Sequence, residues 1–432
     1  MPKCMHEVLG SPIISLIIDA AQKAESSEII CVVGYRSDLV REKIGDAVTY
    51  AEQKEQLGTG HAVMSATEFI DPGESALVLL GDAPLIRAES IKRLREAHET
   101  LNNAVTVIST VVDNPFGYGR IIRDGGAVVR IAEQKDLNSE QENICEINTG
   151  FMIFEGRALL DALPKLTNKN ASGEYYLTDA VQIMREAGLR TGVIRLEDPD
   201  EFMGINTRVQ LAQAAAVLKR RRNEEHMLAG VTMANPETVY IDMNVEIGED
   251  TVIYPNVMIG GKTFIGSNCV IGPNVRLTDV LMADGVTITE SVASRSTIGR
   301  GATVGPFAYL RPGASIGEDC KIGDFVEVKN ASVGNRSKAS HLAYIGDADI
   351  GEDVNFGCGS ITANYDGKNK SRTVVRDGAF IGSNSNLIAP VTVNERAYVA
   401  AGSTITDDVP EGSLAIARQR QAVKKGWADR KN

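Results

Sequence analysis

No apolar run in the sequence approaches the ~18 residues that a membrane-spanning helix needs. No basic-then-apolar leader stands at the start. These absences predict a cytoplasmic protein without a membrane partner. Basic charge is also in deficit: 45 Lys and Arg stand against 57 Asp and Glu, for a net charge of -12. A broad nucleic-acid footprint needs a basic face, so that class is set aside. Anionic small molecules stay open, because they need only a few local Lys and Arg. The six cysteines, Cys4, Cys31, Cys145, Cys269, Cys320 and Cys358, form no CxxC pair and read as reduced thiols. Aromatic residues make up only 5% of the chain, whereas glycine numbers 41 of 432 residues. That balance fits a turn-rich half built from repeats. The chain is too long for one ordinary core, so two domains are expected.

The first half, residues 1–206, alternates strand and helix signals. Pro12–Ser26 is helix-like and precedes the apolar stretch Glu28-Ile-Ile-Cys-Val-Val. Ser75-Ala-Leu-Val-Leu-Leu reads as a buried parallel strand ending at Gly81-Asp82, and Ser90–Leu101 as the helix after it. Ala104-Val-Thr-Val-Ile-Ser-Thr-Val is a further strand. The expectation is an open, Rossmann-like α/β domain, with ligands at the carboxyl ends of its strands. Residues 207–228 have helical composition without Gly or Pro and read as a linker helix. Its Arg220-Arg221-Arg222 run reads as a solvated face.

From about residue 245, within an expected second domain of residues 229–410, the period becomes six. Ile247, Ile253, Ile259, Ile265, Ile271 and Leu277 keep that spacing. So do Ile298, Val304, Leu310, Ile316, Ile322 and Val328, and later Ile381, Leu387, Val393, Val399 and Ile405. A six-residue period fits a triangular coil in which each side is one hexapeptide and each aliphatic residue points inward. Many of these residues precede Gly, which is expected to turn the corners because it tolerates φ > 0. An ordinary sandwich would instead alternate over strands spaced by 8–12 residues. The register breaks at 334–340 and at 363–376, and the second break reads as a polar loop leaving the coil. Residues 411–432 form a tail with the basic stretch Lys424-Lys-Gly-Trp-Ala.

Of the five histidines, only His341 lies among the repeats. A zinc site needs three or four clustered ligands, which one histidine cannot supply. Acyl transfer to an amine needs a single base, and one His suffices. Around it stand Arg311, Lys329, Tyr344, Asn355, Asn364 and Lys370. Arg and Lys together suit a sugar phosphate. In the first half, Gln53-Lys-Glu-Gln-Leu-Gly-Thr-Gly-His is a small Gly-rich turn, and Asp82 ends a strand. Asp82 is placed where a carboxylate could hold Mg²⁺ against a triphosphate, but such an Asp is as often an ordinary turn residue.

Ser337-Lys-Ala-Ser-His-Leu-Ala-Tyr-Ile-Gly-Asp-Ala-Asp-Ile-Gly, Asn355 and Ser360-Ile-Thr-Ala-Asn-Tyr-Asp-Gly carry a resemblance that runs over essentially the whole chain. It is to the bifunctional bacterial N-acetylglucosamine-1-phosphate uridylyltransferase / glucosamine-1-phosphate N-acetyltransferase family. The resemblance implies a nucleotidyltransferase domain followed by a left-handed parallel β-helix of hexapeptide repeats, assembled as a homotrimer. It implies that His341 is the acetyl-transfer base, helped by Asn364. Arg311, Lys329, Tyr344, Asn355 and Lys370 would hold glucosamine-1-phosphate, while Cys358, Ser383, Ala401 and Arg418 would contact acetyl-CoA. In the first half, Asp82 and Asn206 would hold Mg²⁺ and Lys3 would contact phosphate. Gln53, Gly58 and Thr59 would face the uridine of UTP, and Gly119, Glu133 and Asn148 the N-acetylglucosamine.

The family opens with a strand and a Gly-rich loop bearing an Arg, and this chain begins instead at Met1-Pro-Lys. That departure predicts a sheet short of one internal strand and a weakened triphosphate cradle. Either the start lies upstream of Met1 or the first domain has lost its activity, which leaves open an acetyltransferase with an inactive first domain, or a non-catalytic subunit that senses sugar nucleotides.

Overall fold

The computed structural model describes residues 2–124 and 127–431. Met1 and Asn432, the outermost positions of the expected first domain and tail, lie outside the described residues. The chain divides into two compact units, 1–218 and 219–432. The division falls inside the helix Arg208–Leu228.

In the first unit, two long strands form the middle of a six-stranded sheet. Val105–Val111 lies between Thr191–Arg195, its parallel partner, and Glu146–Glu155, its antiparallel partner. Both faces of this pair are covered. Val105, Val107, Met152 and Phe154 pack with Leu159, Val181 and Met184. Ile108, Phe151 and Ile153 pack with Ile91, Leu94 and Phe202 on the other face. Covering both faces explains why aliphatic residues in these strands do not simply alternate with polar ones.

Ser75–Val78 corrects the expectation of a buried parallel strand. It pairs antiparallel with Glu146–Glu155 and is only partly buried. Ile30–Val33 and Thr49–Glu52 form a separate parallel pair. Among the described residues, no ladder joins this pair to the six-stranded sheet.

Among the described residues, the second unit is a left-handed β-helix of 26 strands, most of which pair in parallel with the third strand onward. Val252 pairs with Val270, eighteen residues on, and Ile381 with Val399. Three hexapeptides therefore make one coil. The inward aliphatics stack into one continuous core, with Ile253, Ile259, Ile265, Ile322, Ile381 and Leu387 fully buried. Each such side chain contributes about 1.5–3 kcal/mol relative to exposure.

The corners differ from the sequence expectation. Left-handed backbone falls mostly on other residues, including Asn256, Asn268, Asn274, Asp319 and Asn384. Asn and Asp tolerate that region best after Gly. The glycines that follow the aliphatics serve close stacking instead. A Cβ on Gly317 would lie 2.8 Å from the Asn335 nitrogen of the next coil, and one on Gly382 would lie 2.5 Å from the Ala401 nitrogen.

Candidate active sites

In the β-helix, the strand Lys338–Gly346 stacks on Lys321–Lys329 and sets His341 opposite Asp324. His341 Nδ1 lies 2.6 Å from Asp324 Oδ1. The hydrogen bond from His341 holds the Asp324 carboxyl below the usual carboxylate range. An ionised carboxylate only accepts, so Nδ1 carries the proton and donates. Nε2 is then the proton acceptor of the ring, which is the form a general base requires. Both side chains reach solvent, at 62% and 39% exposure, so a substrate can approach the imidazole.

The polar residues around His341 fall into linked groups. The Arg311 guanidinium pairs with Glu327 at 2.7 Å, and Glu327 is in register with Tyr344 on the next coil. The Asp347 carboxylate, at a left-handed corner, gathers three donors. They are Asn330 Nδ2 at 2.6 Å, Lys329 Nζ at 3.3 Å and the side-chain amide of Asn364. Burial alone would raise the Asp347 pKa, but these donors outweigh it and hold the carboxyl below its ordinary range. Lys370 lies beside Lys329, whose ammonium is held by the Asp347 carboxylate. Lys370 arrives on the expected polar loop. That loop is closed by a bridge between Tyr365 and Lys370 and by the Ser371 N–H donating to the Asn364 carbonyl at 3.0 Å. Asn355 is in register with Lys338 on the neighbouring coil.

The four residues expected to meet acetyl-CoA form an exposed column. Cys358 and Ser383 each stand two residues beyond an inward residue, Phe356 and Ile381, that pair with each other. Ala401 stands two beyond Val399, which pairs with Ile381. The Cys358 carbonyl accepts from the Asn384 N–H, and the Ser383 carbonyl from the Gly402 N–H, both at 2.8 Å. Arg418 lies against Gly402 at the end of the column.

In the first unit, Lys3 Nζ lies 2.5 Å from Asp82 Oδ2 and 2.6 Å from Asn206 Oδ1. The Ile205 N–H donates to the Asp82 carbonyl at 2.9 Å and ties the two segments together. Two hard oxygens thus converge on one cation-sized place. Their chemistry fits Mg²⁺, which takes few protein ligands and completes its shell with water and phosphate.

The remaining residues cluster by substrate part. Gln53 Nε2 donates to the Gly58 carbonyl at 3.3 Å and lies 3.1 Å from His61 Nδ1. Gly58 has φ of 106°, and a Cβ there would lie 2.7 Å from the Tyr175 carbonyl oxygen. Thr59 Oγ1 accepts from the Leu177 N–H at 3.2 Å. Gly119 and Asn148 are joined by a backbone hydrogen bond of 2.8 Å, and Gly119 also abuts the Glu133 carboxylate. Burial raises the Glu133 pKa, while a 2.8 Å hydrogen bond from Thr178 opposes the shift.

Sequence reasoning missed Asp324, Glu327 and Asp347. Each stands about one coil from a residue that was recognised, and that offset was the available signal.

A nucleotidyl transferase family model matches residues 1–198. A model of the bacterial transferase hexapeptide, six repeats, matches 244–279 and 295–330. Bifunctional protein GlmU of Clostridioides difficile (strain 630) is 51% identical over 432 residues, covering 100% of this chain and 94% of that protein. The Caldanaerobacter subterraneus subsp. tengcongensis protein of the same name is 49% identical, covering 99% and 94%. That of Acetivibrio thermocellus is 48% identical, also covering 99% and 94%. With a nucleotidyltransferase half, a hexapeptide half and this identity along its whole length, the chain belongs to the bifunctional GlmU family, which joins a uridylyltransferase and an acetyltransferase in one polypeptide.

Proposed function

We propose that the β-helix acetylates glucosamine-1-phosphate with His341 as base, and that the first unit then transfers a uridylyl group from UTP to N-acetylglucosamine-1-phosphate. The observation that carries the first assignment is the Asp324–His341 pair on an open face of the coil. His341 Nε2 takes a proton from the sugar amine as its nitrogen attacks the thioester carbonyl of acetyl-CoA. The tetrahedral intermediate collapses, the C–S bond breaks, and coenzyme A leaves as a thiol after receiving that proton. Asp324 holds the ring in the tautomer that can accept, and it stabilises the imidazolium between the two transfers. Lys329 and Lys370 take the sugar phosphate, with Arg311, Tyr344 and Asn355 completing its site. Asn364 orients the acyl group or the substrate. The column from Cys358 through Ser383 and Ala401 to Arg418 lies along the coenzyme.

In the first unit, Asp82 and Asn206 would hold Mg²⁺, which supplies charge neutralisation to the triphosphate when bound. Gln53, Gly58 and Thr59 face the uracil and ribose. Gly119, Glu133 and Asn148 hold the amino sugar, so that its phosphate oxygen is aligned with the α-phosphorus and pyrophosphate leaves. Lys3 contacts phosphate.

A homotrimer is the assembly we favour. Exposed rings stack in pairs on the coil surface, Phe307 on Phe325 at 5.4 Å and Phe380 on Tyr398 at 4.8 Å, and they are available for a second copy to cover. The cytoplasm is the compartment we favour, because all six cysteines are free and acetyl-CoA and UTP are cytoplasmic. Among the described residues, no helix is long and apolar enough to cross a membrane.

The test follows both reactions in one preparation: thiol release from acetyl-CoA with glucosamine-1-phosphate, and pyrophosphate release from UTP with N-acetylglucosamine-1-phosphate and Mg²⁺. Both products are expected. Absence of thiol release would overturn the assignment of the β-helix, and absence of pyrophosphate that of the first unit.

A further inference from the structure

The Lys3 ammonium occupies the place where the oxygens of Asp82 and Asn206 converge, at 2.5 and 2.6 Å. Those two oxygens belong to segments joined through the Ile205 N–H and the Asp82 carbonyl. Lys3, by contrast, reaches them on a flexible four-carbon stem. The ion pair is partly open to solvent, with side-chain exposures of 42% for Lys3 and 30% for Asp82, so opening it costs little.

We propose that Lys3 is a resident cation of the metal site, and that nucleotide phosphate draws it away when a divalent ion enters. The inference rests on the reading of Asp82 and Asn206 as metal ligands. An ammonium seated between Asp82 Oδ2 and Asn206 Oδ1 fills the place a divalent ion would take there, and the two cations repel. In the free protein the ammonium satisfies Asp82 and Asn206 and holds the site closed to metal. Phosphate oxygens are also strong acceptors for an ammonium, so bound nucleotide competes with Asp82 for Lys3. Nucleotide therefore frees Asp82 at the moment it brings its own oxygens for the metal. Binding of nucleotide and metal is coupled through this one side chain, and the coupling is reciprocal. Such a gate disfavours a metal-loaded site that lacks its nucleotide.

The experiment is a Mn²⁺ titration of the full chain by electron paramagnetic resonance, without and with UDP-N-acetylglucosamine, and it reads binding rather than turnover. Wild type is compared with Lys3→Met, Lys3→Arg and Asp82→Asn. Without nucleotide, Lys3→Met is expected to bind Mn²⁺ about 1.4- to fivefold tighter than wild type, the range of a partly exposed charged pair. Lys3→Arg, which keeps a cation, is expected to stay near wild type. The factor by which the nucleotide tightens Mn²⁺ is expected to fall in Lys3→Met. Unchanged or weaker Mn²⁺ binding in Lys3→Met would overturn the proposal. If Asp82→Asn leaves Mn²⁺ binding intact, the metal is held elsewhere, and the reading of the ligands fails together with the inference.

Discussion

Asp324 and His341 face each other from adjacent coils, 17 residues apart in the chain, with carboxylate and imidazole joined at 2.6 Å. The pair makes a direct prediction. Asp324→Asn keeps the shape but removes the obligatory acceptor, so the ring loses its fixed tautomer. Acetyl transfer should fall about 10–100-fold in kcat, the usual worth of a partner that orients a reacting histidine. The KM for glucosamine-1-phosphate and the melting temperature should stay close to wild type. His341→Ala should fall further, by roughly 10²–10⁴-fold. An equal loss in Tm for either variant would mean that the pair is structural.

Asp82→Ala should abolish most pyrophosphate release and leave thiol release from acetyl-CoA intact, because Asp82 and His341 belong to different compact units. The two assays above, run on one sample of the variant, decide this. Loss of both products would show that the reactions are not separable.

Asp347 predicts a pH dependence. Its carboxyl is held below the ordinary range by Asn330, Asn364 and Lys329, although burial works against this. A group with a depressed folded pKa contributes stability that is present above its unfolded value, near 3.9, and is lost as the pH falls through the folded value. Asp347→Asn should therefore melt about 2–4 °C below wild type at pH 7. The gap should close as the pH falls below about 4. Calorimetry across that range measures it, and a gap independent of pH would contradict the charge argument.

Gly317→Ala tests the stacking of the coil. The added Cβ would meet the Asn335 nitrogen at 2.8 Å and the Val333 carbonyl oxygen at 2.9 Å. The cost should be about 1–3 kcal/mol, typical of overpacking. Gly412→Ala is the comparison: it has φ of 63° and no neighbour within 4 Å, so only its backbone conformation is taxed. Its cost should be smaller, at most about 1–2 kcal/mol, so its melting point should drop less. A reversed order in the melting curves would refute the stacking explanation.

The coil was legible in the sequence because Ile253, Ile259 and Ile265 have one role, to fill the prism, and that role recurs every six residues. The corner glycines were misread because close approach between coils and left-handed backbone both select small residues, and only three-dimensional neighbours separate the two causes. Asp324 escaped notice because its value lies in its pairing across one coil, where the offset is 17 residues rather than eighteen. Asp347 escaped because three donors reach it from 329, 330 and 364, a convergence that no linear motif records. Apolar composition does not encode strand direction, so nothing in Ser75–Val78 signals its antiparallel pairing with Glu146–Glu155.

The stacking of Cys358, Ser383 and Ala401 turns the chain into a measuring rod. Each coil advances the column by one strand spacing, about 4.8 Å, whatever loop hangs from it. The polar excursion between Asn364 and Ser371 lengthens the path from Phe356 to Ile381 to 25 residues, yet the two remain in register. Distance along the groove is therefore counted in coils and not in residues. A lineage could graft a loop onto any corner without moving the next graduation. Deleting three residues from one side would instead turn every later mark to a different face of the prism.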